Sequence, residues 1–178
     1  MLATVMIALA AAAAPVAVQD SAPRVDSTPL PIPFPTPPTL DQVRYTQGLR
    51  TVARGVAQLR DGVDRVMRTQ QGRDTVRQRQ AGRRLGGLCA TARSFISSGR
   101  PRMLPTAYTD SMRIVAQKLV VRIDSLRKAL PTCETTAGKT PGAVAADLTK
   151  RLQAYDQALL AYRAGVAPPK PDSIKPPS

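Results

Sequence analysis

The sequence predicts an all-α protein, a small bundle of about four amphipathic helices with an extended proline-rich strap before it and a proline-rich tail after it. Apolar residues recur at spacings of three and four in four separate stretches, which is typical of helices that bury one stripe each. No stretch alternates apolar and polar residues as a half-buried strand would, and only 3% of the 178 residues are aromatic. Helices of this kind pack stripe to stripe in a bundle.

Residues 1–18 form an apolar, charge-free leader, either a cleaved secretory signal peptide or a retained membrane anchor. The run of about thirteen apolar residues before Pro15 fits a signal peptide, although no Lys or Arg precedes it. As an anchor, the segment is at the short limit for a membrane span. We expect export, and a periplasmic protein that is peripheral to or anchored in the inner membrane.

Residues 19–38 contain too many prolines for a helix and are predicted to be an extended linker, in polyproline II conformation over residues 29–38. The simple interpretation is a tether between the leader and the bundle. The alternative is a docking strap, because Leu30, Ile32 and Phe34 alternate with prolines and fit a groove on a neighbouring protein.

The helical domain is predicted over residues 39–165. Its first helix begins after the N-cap Thr39 and runs to about Thr69. The residues of its apolar stripe are Tyr45, Leu49, Val52, Val56, Leu59, Val63 and Val66.

Three glycines, Gly48, Gly55 and Gly62, flank this stripe at every seventh position. Each costs about 0.8–1 kcal/mol of helix stability relative to alanine. Close approach of another backbone would offset this cost, because a glycine has no Cβ. The second helix belongs either to the same bundle or to a partner protein, so the glycines are candidate docking residues.

The apolar pattern breaks at residues 70–72, and residues 73–84 are either a solvated helix or a basic connector. The stripe resumes at Leu85 and continues to Ile96 in a second helix, which residues 97–101 end. The candidate patch for an anion or an acidic partner consists of Arg68, Arg73, Arg77, Arg79, Arg83 and Arg84. Arginine binds carboxylate and phosphate with two parallel hydrogen bonds. The alternative is an ordinary solvated face.

A third helix is predicted from Pro105 or Thr106 to Leu130, where Pro131 should stop it. Residues 132–139 are then a loop. A fourth helix follows, capped by Thr140, with Pro141 at its first position. Residues 166–178 form the tail, which is proline-rich from residue 168 and has no reason to fold alone.

Two cysteines, Cys89 and Cys133, are candidates for a disulfide in an oxidising compartment. The alternative is a pair of buried free thiols. A simple hairpin of helices two and three would not bring them together. Cys89 would lie about 18 Å from the turn and Cys133 more than twice as far, whereas bridged Cα atoms lie within about 7 Å. Bridging therefore requires a bent helix or an irregular connection, unless the pair is not intramolecular.

The composition argues against an enzyme and against cofactor or metal binding. The chain has no His and a single glutamate, Glu134, so histidine-based nucleophilic catalysis and common zinc sites lack their residues. The Gly138-Lys139-Thr140 triplet resembles the end of a phosphate-binding loop but lacks the preceding glycine and strand. The net charge of +14 favours acidic protein faces or anionic lipid headgroups as partners. Export and the scarcity of aromatics argue against nucleic acid.

The alanine-rich leader, the strap, the arginine-rich helices and the tail together resemble, in layout, the periplasmic accessory subunits that brace bacterial photosynthetic reaction centre–antenna complexes. The resemblance implies a structural role without pigment binding, and the absence of His is compatible with it. We therefore predict an exported, non-enzymatic adaptor that docks onto a membrane-associated complex of protein subunits. The alternatives are a periplasmic helical chaperone or ligand-binding module, and an envelope tether that binds anionic lipid or cell-wall polymer.

Overall fold

A computed structural model describes residues 37–167, and within this range it contains four long helices and no strand. The predicted all-α bundle is confirmed. Two short 3₁₀ turns, Arg100–Arg102 and Pro105–Ala107, lie between the second and third helices. The helices are α1 (Leu40–Gln70), α2 (Thr75–Gly99), α3 (Asp110–Thr136) and α4 (Pro141–Val166).

Helix α1 begins as predicted, because Thr39 caps it. The backbone N–H of Gln42 donates to the Thr39 hydroxyl, and the Thr39 N–H donates to the Gln42 side chain at 3.0 Å. This reciprocal pair satisfies two donors that a helix start leaves free. All seven residues of the predicted apolar stripe are buried.

The three glycines of α1 pack against α2 of the same chain. A Cβ on Gly48 would stand 2.6 Å from the carbonyl oxygen of Gly99, and a Cβ on Gly99 would stand 2.6 Å from that of Gly48. Gly55 faces Ala92, and Gly62 faces Leu85. Because the facing residues of α2 also recur at every seventh position, the antiparallel pair keeps one register along its length.

Residues 73–84 belong mostly to helix α2, which settles whether this basic segment is helix or connector. Asp74 caps the helix, accepting hydrogen bonds from the N–H groups of Val76 and Arg77 at 2.9 and 3.0 Å. The predicted break at residues 70–72 is confirmed by a tight turn, which the Gln78 side chain closes by donating to the Gly72 carbonyl at 2.8 Å.

The connection between α2 and α3 explains how the two cysteines meet. Arg100 makes a bidentate ion pair with Asp124, in which Nε donates to Oδ1 and Nη2 donates to Oδ2, each at 3.0 Å. Asp124 lies fourteen residues after Asp110, or about 21 Å along α3. Residues 100–109 therefore continue beyond the end of α2 by about that length before α3 turns back. Cys89 and Cys133 then lie level and form a disulfide, with Cα atoms 6.2 Å apart.

Both predicted ends of the third helix are wrong. The chain from Pro105 forms a separate 3₁₀ turn, and Asp110 has a left-handed φ of 47°, so α3 starts only there. Its other end continues through Pro131 to Thr136, although residues 132–139 were expected to be loop. Pro131 is exposed, whereas Cys133 on the same turn is buried and bridged to α2. These contacts hold the final turns despite the missing proline N–H.

Helix α4 follows Thr140 and Pro141 as predicted, but the Thr140 hydroxyl donates to the Thr136 carbonyl and makes no capping bond to α4. The helices run alternately up and down, so α1 neighbours α2 and α4, and α3 completes the bundle opposite α1. A second set of glycines, Gly82 and Gly86, lets α2 approach the carbonyls at the end of α3.

A cluster of three tyrosines closes one end of the bundle. Tyr45 donates to the carbonyl of Ala116 at 3.0 Å, and Tyr108 and Tyr162 share a hydrogen bond of 2.6 Å. The ring centres lie 5.2–5.9 Å apart, the spacing of favourable aromatic pairs. Burial raises the pKa of Tyr45 and of Tyr108 far above the ordinary value of a phenol.

Candidate anion-binding cleft

A surface cleft of about 380 Å³ opens between α1 and α2, near the turn that joins them. Its floor is mainly apolar, and its rim carries four arginines, two from each helix. The residues lining it are Gly62, Arg65, Arg68, Thr69, Arg77, Gln80, Ala81, Arg84, Leu85 and Leu88.

The register of the α1–α2 pair explains why the cleft lies at this end. At Gly48 the backbones of the two helices nearly touch, since the carbonyl of Gly99 is the nearest atom. At Gly62 the nearest atoms are instead the side-chain tips of Leu85 and Leu88. Two leucine side chains therefore lie between the backbones here, and they form the apolar floor.

The rim of the cleft has more positive than negative charge. Within residues 37–167, no carboxylate lies within 4.0 Å of the guanidinium groups of Arg65, Arg68 or Arg84. Arg77 pairs with the helix cap Asp74 at 3.2 Å, and both side chains remain at least half exposed. Exposed pairs of this kind contribute little, so Arg77 can exchange its partner at small cost.

The structure divides the six arginines of the predicted patch. Arg68, Arg77 and Arg84 line the cleft, whereas Arg73, Arg79 and Arg83 are exposed elsewhere. Arg83 lies on the side of α2 away from α1, where its stem approaches Gly138 in the α3–α4 connection. Arg79 precedes it by four residues and therefore shares that side of the helix.

Arg65 belongs to the cleft, although the predicted patch does not include it. Asp61 and Asp64 are close to Arg65 in the sequence, yet neither carboxylate lies within 4.0 Å of its guanidinium group in the structure. The sequence did contain a signal that places Arg65 in the cleft. Arg65 and Arg68 lie just before the turn at residue 72, and they face the antiparallel helix that begins after this turn. Their side of α1 must then meet the first turns of α2.

The docking hypothesis for Gly48, Gly55 and Gly62 requires a correction. All three are buried against α2 of the same chain, and only Gly62 borders a surface cleft, so the three glycines do not form a docking face together. The glycine repeat correctly predicts a second helix at close range, but that helix is α2 of the same chain and not a helix of a partner protein. The strap residues Leu30, Ile32 and Phe34 lie outside the described residues, as do the leader and residues 168–178 of the tail.

Within residues 37–167, no group of three or more His, Cys, Asp or Glu side chains could hold a metal ion. Over the same residues, no helix meets the length and hydropathy needed for a membrane span.

Comparison with protein-family models, with curated proteins and with solved structures found no match. The geometry of the cleft indicates its chemistry. Four guanidinium groups around an apolar floor can bind carboxylates or phosphates that are attached to an apolar group.

Proposed function

We propose that this protein is a non-enzymatic docking subunit that binds an acidic face of another protein in a membrane-associated complex. The contact would form at the cleft between α1 and α2. The observation that carries the proposal is that three of the four cleft arginines, Arg65, Arg68 and Arg84, have no carboxylate partner among residues 37–167 and stand around a floor of leucine and alanine. An acidic side chain flanked by an apolar one would satisfy both parts of such a surface.

Arginine suits this role better than lysine would. Its planar guanidinium group binds a carboxylate with two hydrogen bonds. Because this group is weakly hydrated, its removal from water costs less free energy than that of an ammonium group. Arginine is also enriched among residues that dominate binding energy at protein interfaces. The long-range field of a chain with net charge +14 would speed the encounter with an acidic partner.

The resemblance in layout described above makes a bacterial reaction centre–antenna complex the first candidate to test. In that setting, the leader would deliver the chain to the periplasm, the strap would span the distance to a neighbouring subunit, and the bundle would brace the complex. These roles are part of the proposal.

Purification from native membranes in mild detergent tests the proposal. The tagged full chain should recover a defined multisubunit complex, and raising the salt concentration should weaken this recovery. Arg68→Gln combined with Arg84→Gln should weaken binding by at least about tenfold, since hydrogen bonds to charged groups each contribute about 1.5–3 kcal/mol.

The matched control is Arg73→Gln combined with Arg79→Gln, which removes the same charge outside the cleft. The control should recover the complex nearly as well as the wild type. Recovery of the wild type only as free protein, or an equal loss in both double variants, would contradict docking through the cleft.

A further inference from the structure

The opposite side of the bundle, where α3 and α4 face solvent, carries a second basic and apolar surface. A shallow groove of about 490 Å³ runs between the two helices over a floor of short alanine side chains. Two large aliphatic residues stand along α3: Ile114 is 59% exposed and Val121 is 50% exposed. Because they are seven residues apart, they point to the same side of the helix.

The charges around these aliphatic residues are mainly positive. Lys118 and Arg122 line the groove, and no carboxylate among residues 37–167 does. Asp124 and Asp156, on the same two helices, are bound instead by Arg100 of the α2–α3 connection and by Arg60 of α1. These ion pairs direct both carboxylates toward other sides of the bundle.

Two further carboxylates lie at the ends of this surface. Asp110 stands at the first residue of α3, one turn before Ile114, and Asp147 of α4 pairs with Arg151 at 2.8 Å. Lys128 of α3 is exposed at the same end as Asp147, and both border a second groove near the α3–α4 connection. The surface named here the α3–α4 face consists of Ile114, Lys118, Val121, Arg122 and the groove between the helices.

We propose that the α3–α4 face lies on an anionic lipid bilayer surface. Aliphatic side chains that protrude along one side of a helix, surrounded by lysine and arginine, are typical of interfacial membrane contacts. The basic side chains would bind the headgroups while Ile114 and Val121 enter the boundary of the acyl region. A peptide in the groove is less favoured, because Ile114 does not line it and its alanine floor offers no deep pocket.

This proposal does not depend on the identity of a protein partner. In the bundle, the α1–α2 pair and the α3–α4 pair form opposite sides, so a chain lying on the bilayer through α3 and α4 would leave the arginine cleft facing away from the membrane. The two surfaces could then be occupied at the same time.

Sedimentation with lipid vesicles tests the proposal on the full chain. Vesicles of phosphatidylglycerol mixed with phosphatidylcholine should bind the protein, with affinity falling as salt rises, and pure phosphatidylcholine vesicles should bind it much less. Lys118→Gln combined with Arg122→Gln should weaken binding by roughly 25-fold, since each basic side chain near an anionic surface strengthens binding about fivefold.

The uncharged double variant Ile114→Ser with Val121→Ser should weaken vesicle binding by roughly tenfold, because it removes buried apolar area without changing charge. Two controls match these changes. Arg68→Gln with Arg84→Gln removes the same charge on the cleft side, and Val76→Ser removes an aliphatic residue of α2 that is 64% exposed. Circular dichroism melting verifies that each variant folds.

Strong loss in both face variants, with near wild-type binding in both controls, is the expected result. The proposal is overturned if the wild type does not bind anionic vesicles, or if the cleft control loses as much as the face variant of equal charge. It is also overturned if the face variants bind vesicles normally but lose a protein partner, since the occupant would then be a protein.

Discussion

Replacing Gly48 with alanine should destabilise the bundle, although alanine is the better helix former. Intrinsic propensity alone predicts a gain of about 0.8–1 kcal/mol for Gly48→Ala. The added Cβ, however, would stand 2.6 Å from the carbonyl oxygen of Gly99 and 2.9 Å from the Met103 Cγ. The first obstacle is backbone, so the two helices must move apart by several tenths of an ångström.

Overpacking of a well-packed core costs about 1–3 kcal/mol, and the upper part of that range applies where backbone is the obstacle. After the propensity gain is subtracted, we expect a net loss of about 1–2 kcal/mol for Gly48→Ala. The matched control is Gly87→Ala in α2, where an added Cβ would have no neighbour within 4 Å among residues 37–167. That variant should instead be stabilised by about 0.5–1 kcal/mol.

Urea and thermal unfolding followed by circular dichroism measure both variants. For a domain of this size, the expected loss in Gly48→Ala should lower Tm by about 3–8 °C, while Gly87→Ala should raise it slightly. If Gly48→Ala were as stable as Gly87→Ala, helix propensity would govern both positions and the close α1–α2 contact would be refuted.

Three further measurements probe the rest of the bundle. Serine substitution of both cysteines should cost about 4 kcal/mol by the loop-entropy estimate, measured by urea unfolding; a loss below about 1 kcal/mol would contradict it. Because burial raises the pKa of Tyr45 and Tyr108 in the fold, the native state holds these protons more tightly than the unfolded chain, whose phenols titrate near pH 10. The free energy of unfolding should therefore keep its full value up to about pH 10 and decrease above it. A titration followed by absorbance at 295 nm would refute this if all tyrosines ionised near pH 10 while the fold stayed intact. Arg100→Ala should cost about 1.5–3 kcal/mol, since it leaves Asp124 without its bidentate partner. Arg44→Ala, which breaks an exposed pair, should cost under about 0.5 kcal/mol, and equal losses would contradict the difference.

Much of the fold could be predicted because the helices carry strong local signals. The stripe of α1 and the cap at Thr39 follow from spacing and from the chemistry of the first turn. The prediction of a close second helix follows from the glycine at every seventh position of α1, because these glycines would lower helix stability without a compensating contact. Sequence periodicity does not say which helix fills that space, since any facing helix satisfies the same pattern.

The failures have a common physical cause in long-range contacts. Pro131 is a local stop signal, but burial of Cys133 and its bridge to α2 outweigh the lost hydrogen bond. The position of α3 along α2 depends on the pair between Arg100 and Asp124, which are twenty-four residues apart in the chain. Arg65 joined the candidate site only when the turn and the register of α1 and α2 were known.

Arginine footprinting of the assembled complex tests most directly whether the cleft is the docking surface. Phenylglyoxal modification, read by mass spectrometry, would compare the free chain with the chain bound in the membrane complex that we propose. We expect Arg65, Arg68 and Arg84 to become protected on binding, while Arg79, on the far side of α2, stays reactive. Equal reactivity of the cleft arginines in the free and bound chain, or protection at Arg79 alone, would contradict docking through the cleft.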